Sequence, residues 1–251
     1  MGTFHSISLQ DFLFGIDWNP TSYHTPAFGI LSIFVSTLMV SFLSLLIAVP
    51  FGLSIAIYLS EIASPTAREV LKPVIEMIAG IPSVVPGLIG LLYLAPLIAT
   101  LFHLSNGLNA LTASILIAIA ALPTIASISE DALSSVSQQY REASLALGAT
   151  KWITIKKVVI PAAKSGILAA MMLGLGRVIG EAMIVLMVAG NSRAFPLSFL
   201  DPVRPMTATI AIDIKEVVIG SLHYQSLFAI GFMLFLMTFL INFIVDLIIH
   251  E

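Results

Sequence analysis

Cysteine is absent from this 251-residue chain, and charge is scarce, Asp, Glu, Lys and Arg together making up 10% of it. Without cysteine there is no disulfide, no thiolate nucleophile and no Cys-based metal site. The histidines, at positions 5, 24, 103, 223 and 250, show no i, i+4 pairing and no companion carboxylate at ligand spacing, so neither a metal nor a cofactor is expected. No Gly-x-x-x-x-Gly-Lys-Ser/Thr run occurs, so the chain has no P-loop with which to cradle ATP phosphates. A net charge of −3 offers no basic face to nucleic acid. Residues 1–27 hold no Lys or Arg and no secretory-signal pattern, so targeting is expected to come from the first spanning helix. No internal repeat or low-complexity linker divides the chain. One membrane domain, residues 28–251, is therefore expected behind an external segment, residues 1–27.

What the chain has in excess is apolar surface: 58% of residues are hydrophobic and the mean hydropathy is +1.04. A bilayer is its solvent, and roughly 20 mostly apolar residues cross one. Mostly uncharged apolar runs at 28–59, 74–102, 109–128, 165–190 and 225–249 are each long enough. They predict five spanning helices in an all-α protein, with little left over for a soluble catalytic domain, so the chain is not expected to be an enzyme. The first run should bend near Pro50-Phe51-Gly52, and the second should be broken or kinked by Gly80, Pro82, Pro86 and Gly87. Basic residues near span ends stay in the cytoplasm. Loops 60–73 and 129–164 carry Arg68, Lys72, Arg141, Lys151, Lys156, Lys157 and Lys164, against Arg193, Arg204 and Lys215 in the opposite set. The N-terminus is accordingly expected outside and the C-terminus inside. Arg193, Arg204 and Lys215 read equally as an external receiving surface or as solvated surface charge.

Arg177 and Glu181 lie within the fourth run, four residues apart, a spacing that puts them on one face of a helix. Charge inside a membrane is costly and normally faces a bundle interior or a water-filled path. Arginine presents a planar fork of donors that fits a tetrahedral oxyanion, so Arg177 is a candidate for a transient anion contact, with Glu181 as its counter-charge. A buried ion bridge with no substrate contact is the competing reading. Gly176 and Gly180 form a small-x-x-x-small pattern suited to close helix packing. Ser83, beside Pro82, is a candidate path residue because irregular backbone at membrane depth must face protein or water; a plain kink explains it as well.

Loop 129–164 contains Arg141-Glu142-Ala143-Ser144-Leu145-Ala146-Leu147-Gly148-Ala149-Thr150, then Lys151-Trp152-Ile153-Thr154, and ends in Ile160-Pro161. It reads as two short helices with a sharp turn at Gly148, a cap at Thr150 and an aromatic anchor at Trp152. On physical grounds alone, an amphipathic segment lying on lipid headgroups fits equally. The spacing of Glu142, Gly148 and Ile160-Pro161 resembles the Glu-Ala-Ala loop of binding-protein-dependent ABC importer permeases, with Ser144 replacing the second Ala. Further stretches resemble the PstC-type permease subunits of phosphate importers. They are Ala79-Gly80-Ile81-Pro82-Ser83, Leu173-Gly174-Leu175-Gly176-Arg177-Val178-Ile179-Gly180-Glu181, Met206-Thr207-Ala208-Thr209 and Gly220-Ser221-Leu222-His223-Tyr224.

This resemblance implies a type I ABC importer permease fold in the cytoplasmic (inner) membrane of a bacterium or archaeon. It implies five spans here where the family usually has six, the family's first helix being missing. Glu142, Ala143, Gly148, Trp152 and Pro161 would couple to a dimer of ATPase subunits, and Arg177, Glu181 and Ser83 would line the substrate path. The implied partners are phosphate, a second PstA-like permease, an external phosphate-binding protein and membrane lipid. Another oxyanion (molybdate, sulfate or a phosphonate) or an ATP-independent channel or secondary transporter are the alternative functions.

Overall fold

The computed structural model describes residues 7–22 and 24–250, and only the backbone at 246 and 248–250. Helix α1 (Leu9–Phe14) and a two-stranded antiparallel pair, β1 (Trp18–Asn19) with β2 (Ala27–Phe28), precede the first long helix. That helix, α2 (Leu31–Ile62), ends in a π-helical turn, Tyr58–Ile62. It is followed by α3 (Pro65–Ala79), α4 (Val84–Leu101), α5 (Ala110–Ser134), α6 (Gln138–Ala146) and α7 (Lys151–Ala162). Helices α8 (Lys164–Gly180), α9 (Met183–Val188), α10 (Met206–Asp213) and α11 (Leu222–His250) complete the chain. Among the described residues α2, α4, α5 and α11 are long and apolar enough to cross a membrane, and α7 with α8, bent by 70°, makes a fifth if the pair is one span.

Two boundaries differ from the sequence expectation, and one expected break is found. The loop expected at 60–73 is largely helical: Ser64 caps α3 by accepting from the Ala67 N–H at 3.2 Å, and Pro65 occupies the first turn, where its missing N–H costs nothing. The apolar run 74–102 is broken where Gly80 and Pro82 led one to expect it: the chain turns at Gly80–Ser83 between α3 and α4, and α3 ends with Gly80 N–H bonded to Met77 O. The run 165–190 is two helices, since α8 stops at Gly180 and α9 begins at Met183. Around Pro50 the α2 helix continues, and Ser54 Oγ donates to the Pro50 carbonyl at 2.7 Å.

Two compact units make up the chain. One comprises the described part of Met1–Ser44, Pro82–Ile117 and Val178–Ile241. Its interior is built on Phe12, Trp18, Ile30, Ile33, Ile184 and Met206, all buried. The other comprises Leu45–Ile81, Ala118–Arg177 and the described part of Asn242–Glu251. Its core joins Ala56 of α2, Leu133 of α5, Val159 and Ala163 beside the α7–α8 bend, and Ile167 of α8. Close helix approach in this second unit centres on Ile125. A Cβ added to Gly174 would lie 2.5 Å from its Cγ1, and one added to Gly52 would lie 2.8 Å from its Cγ2. Small residues admitting a neighbour's side chain are the usual means of packing helices in lipid, where apolar burial alone gives no drive. Gly176 and Gly180, expected to serve that purpose, face no atom within 4 Å; Gly174 takes their place because it points at Ile125.

Candidate functional site

In the second unit, α6 and α7 form a compact helical pair. Ser137 caps α6 by accepting from the Gln139 N–H at 3.3 Å. The helix is closed at its far end by bonds from Leu147 N–H to Ala143 O and from Ala149 N–H to Ser144 O. Gly148 then turns the chain with φ +82°, a left-handed conformation that glycine adopts without strain. Thr150 caps α7 through the Ile153 N–H, and Ser144 Oγ and Thr154 Oγ1, 2.9 Å apart, join the two helices. The π-helical turn Ile155–Val159 precedes Pro161, whose ring does not fit a regular α-helical ladder. Glu142, Ala143, Gly148, Trp152 and Pro161 are all exposed, as are Leu145 and Leu147. An apolar and small-residue face is therefore turned away from the core.

Beneath it lie ion pairs that span large sequence distances. Arg141 meets Glu61 at the end of α2, with Nη2 to Oε1 at 2.6 Å. Glu130 of α5, whose side chain is fully buried, is bonded by Arg68 of α3 and accepts from Ser134 Oγ at 2.7 Å. Lys72 Nζ lies 2.7 Å from the other Glu130 oxygen, off the hydrogen-bonding direction, and also bonds Asp131. The Asp131 bond, then the Glu130 contact, raises the Lys72 pKa above its ordinary value.

Arg177, half-buried on α8, is sparsely partnered: Nη2 donates to the Ala79 carbonyl at 3.3 Å, and the buried Nε has no hydrogen-bond partner among the described residues. Helix α8 ends at Gly180, so Glu181 lies just beyond it. In its own unit the Glu181 carboxylate accepts from the Met183 and Ile184 N–H groups at 3.0 and 3.2 Å, satisfying the start of α9. The Glu181 carbonyl accepts from Thr207 Oγ1. Ser83 is half-buried at the start of α4, and its side chain makes no capping bond there.

The residues of this chain match the model of the binding-protein-dependent transport system inner membrane component over residues 48–250. The chain belongs to this family. Among its relatives, the "Probable ABC transporter permease protein YqgH" of Bacillus subtilis is 41% identical over 233 residues, 93% of this chain and 75% of that one. The "Phosphate transport system permease protein PstC" of Mesorhizobium japonicum is 38% identical over 245 residues, 90% of this chain and 74% of its own length. Its namesake in Pasteurella multocida is 34% identical over 90% of this chain and 75% of its own. A solved structure of the MetNI methionine ABC transporter in inward-facing conformations matches with a TM-score of 0.62 at 20% identity, covering 88% of this chain and 93% of that one. This likeness shows that the chain shares its all-α fold with the matched chain of that transporter.

The matched region includes α6, α7, Arg177 and Glu181, and leaves out the segment before residue 48. Sequence reasoning missed what holds that segment. In the first unit, Trp18 Nε1 donates to Asp213 Oδ2 at 2.9 Å, Arg204 bonds the other oxygen, and His223 Nε2 stands 3.3 Å from Oδ2. Arg204 is 3% exposed, which replaces the solvated reading of that residue, and burial lowers its pKa against the opposing pull of Asp213. His223 and Asp213 are ten residues apart, outside the spacings of a single helix face, so no local sequence pattern announces their contact. Arg193 Nη1 donates to Asn19 Oδ1 at 3.2 Å.

Proposed function

We infer that this chain is the phosphate-translocating permease subunit of an ATP-driven importer. The observation that carries the reading is identity of 34–38% to permeases named for phosphate transport over 90% of the chain. ATP is hydrolysed by a separate ATPase dimer that docks on the exposed face of α6 and α7, where Glu142, Ala143, Gly148, Trp152 and Pro161 lie. A second, PstA-like permease completes the path, and an external phosphate-binding protein delivers the anion. The membrane is the cytoplasmic membrane of a bacterium or archaeon, with the N-terminus outside and the C-terminus inside.

Arg177 makes the transient anion contact. Its unpartnered Nε and single long bond leave the guanidinium with donors to offer, and the fork geometry suits two oxygens of a phosphate. Glu181 and Ser83 are the other residues of the path. Glu181 limits how tightly an anion is held, as a conduit requires.

The test is the assembled complex with labelled phosphate. Arg177→Gln is expected to retain the ATPase and lose most ATP-driven uptake. Gly148→Asp is expected to lose the ATPase itself. Aspartate tolerates the left-handed conformation better than most residues, and a Cβ there meets nothing within 4 Å among the described residues, so loss of the ATPase from a chain whose unfolding midpoint is unchanged would report the partner surface. Full uptake by Arg177→Gln would remove that residue from the path.

A further inference from the structure

Helix α6 has no buried residue, so apolar packing holds it only weakly to the rest of its unit. Its attachment is polar and centred on Arg141. Arg141 Nε donates to both Glu61 oxygens, at 3.2 and 3.4 Å, and Nη2 donates to Oε1 at 2.6 Å. The same guanidinium reaches the carbonyls at the end of α5, with Nη2 to Leu133 O at 2.9 Å and Nη1 to Val136 O. The side chains of Arg141 and Glu61 are 14% and 7% exposed, so water screens the pair little. Glu61 sits in the π-helical turn that ends α2, and Leu133 belongs to the buried core of this unit. Alongside runs a cavity of about 570 Å³ bounded by Ser60, Glu61, Arg68, Ser134, Arg141 and Thr154. Packing is therefore absent on that side of α6, and the guanidinium is what bridges it.

We propose that Arg141 is the positioning residue that transmits movement of α6 to the ends of α2 and α5, through its fork on Glu61 and on the Leu133 and Val136 carbonyls. The proposal rests on the reading that the ATPase docks on α6 and α7. A rigid planar fork engaged at four points moves its partners with it, whereas a flexible ammonium at one point does not. Residues next to Arg141 in sequence face outward: Glu142 and Ala143 are exposed. One turn of helix thus carries the docking face on one side and the transmitting group on the other.

The experiment uses the complex of this chain with its ATPase, second permease and binding protein, in proteoliposomes, and reads ATPase retention, ATP hydrolysis and phosphate uptake together. Glu61→Gln keeps the side-chain volume and the bonds from Arg141 to both carbonyls, so the unit stays folded. The complex is expected to retain its ATPase and hydrolyse ATP to within about twofold of the unaltered complex, while phosphate moved per ATP falls about tenfold. Arg141→Lys, which keeps the charge and loses the fork, is expected to behave alike. Phosphate moved per ATP within about twofold of the unaltered complex in both single variants would overturn the proposal. So would loss of the ATPase in Glu61→Gln, since the pair would then shape the docking face and not transmit from it. An unaltered complex that retains no ATPase would instead overturn the functional reading on which the proposal stands.

Discussion

Removing Arg68 should destabilise the second unit more than removing the carboxylate it faces. Arg68→Met leaves Glu130, whose side chain is fully buried, with only Lys72 at 2.7 Å from one oxygen and Ser134 Oγ on the other. Breaking a buried pair by deleting one partner costs roughly 3–5 kcal/mol, because the remaining charge keeps its desolvation cost without its partner. Arg68 is itself 39% exposed and Lys72 remains, so screening reduces the expected loss to about 2 kcal/mol. Glu130→Gln removes the buried charge and preserves the Ser134 bond as well as the shape, so about 1 kcal/mol is expected. Arg68→Met with Glu130→Met replaces the pair by apolar groups and should recover most of the loss. The assay is the thermal unfolding midpoint of the detergent-solubilised chain at neutral pH, compared around the full double-mutant cycle. A double variant less stable than Arg68→Met alone, or an Arg68→Met midpoint indistinguishable from the unaltered chain, would refute the argument.

Gly174→Ala should cost about 1–3 kcal/mol, since its Cβ would stand 2.5 Å from Ile125 Cγ1, and Ile125→Ala in the same chain should relieve the clash; unfolding midpoints of the pair check it. Asp213→Asn leaves Arg204 buried without its carboxylate and should cost about 3 kcal/mol. In a Trp152→Phe background the fluorescence of Trp18, whose indole N–H Asp213 accepts, should report that loss as an earlier transition, and an unchanged midpoint would contradict it. Because the chain has no cysteine, single substitutions give clean topology probes: Leu197→Cys should react with an impermeant maleimide from outside intact cells, and Leu147→Cys only after permeabilisation. The reverse pattern would invert the orientation assigned from the basic residues.

Much of this architecture is legible in one dimension. Helices α2, α5 and α11 are long uninterrupted apolar runs, and a period-independent reading of hydropathy finds them. The Gly148 turn and the Thr150 cap carry local chemistry that needs no neighbour. What hydropathy does not register is helix termination without a polar interruption. Met183–Val188 continues the apolar run of α8, yet the backbone leaves the helix at Glu181-Ala182, where the Glu181 carboxylate takes up the N–H groups of the next helix. Helix α3 is hidden for the opposite reason, its charges at Arg68, Lys72 and Glu76 resembling a loop until Glu130 and Asp131 are brought opposite the two cations and Ser127 opposite Glu76. The pairs Arg141–Glu61 and Trp18–Asp213 join residues 80 and 195 positions apart, a relation that no local pattern encodes. Arg177 was legible as a costly charge in an apolar run; its unpartnered Nε was not.

The central claim is phosphate translocation driven by ATP, and its most direct measurement is uptake of labelled phosphate into proteoliposomes holding the complete complex, with and without ATP, in the presence of excess molybdate or sulfate. Uptake that requires ATP and is competed by unlabelled phosphate, and not by the other two oxyanions, is the predicted result. An assembled complex that hydrolyses ATP yet moves no phosphate, or that moves phosphate equally well without ATP, would contradict it.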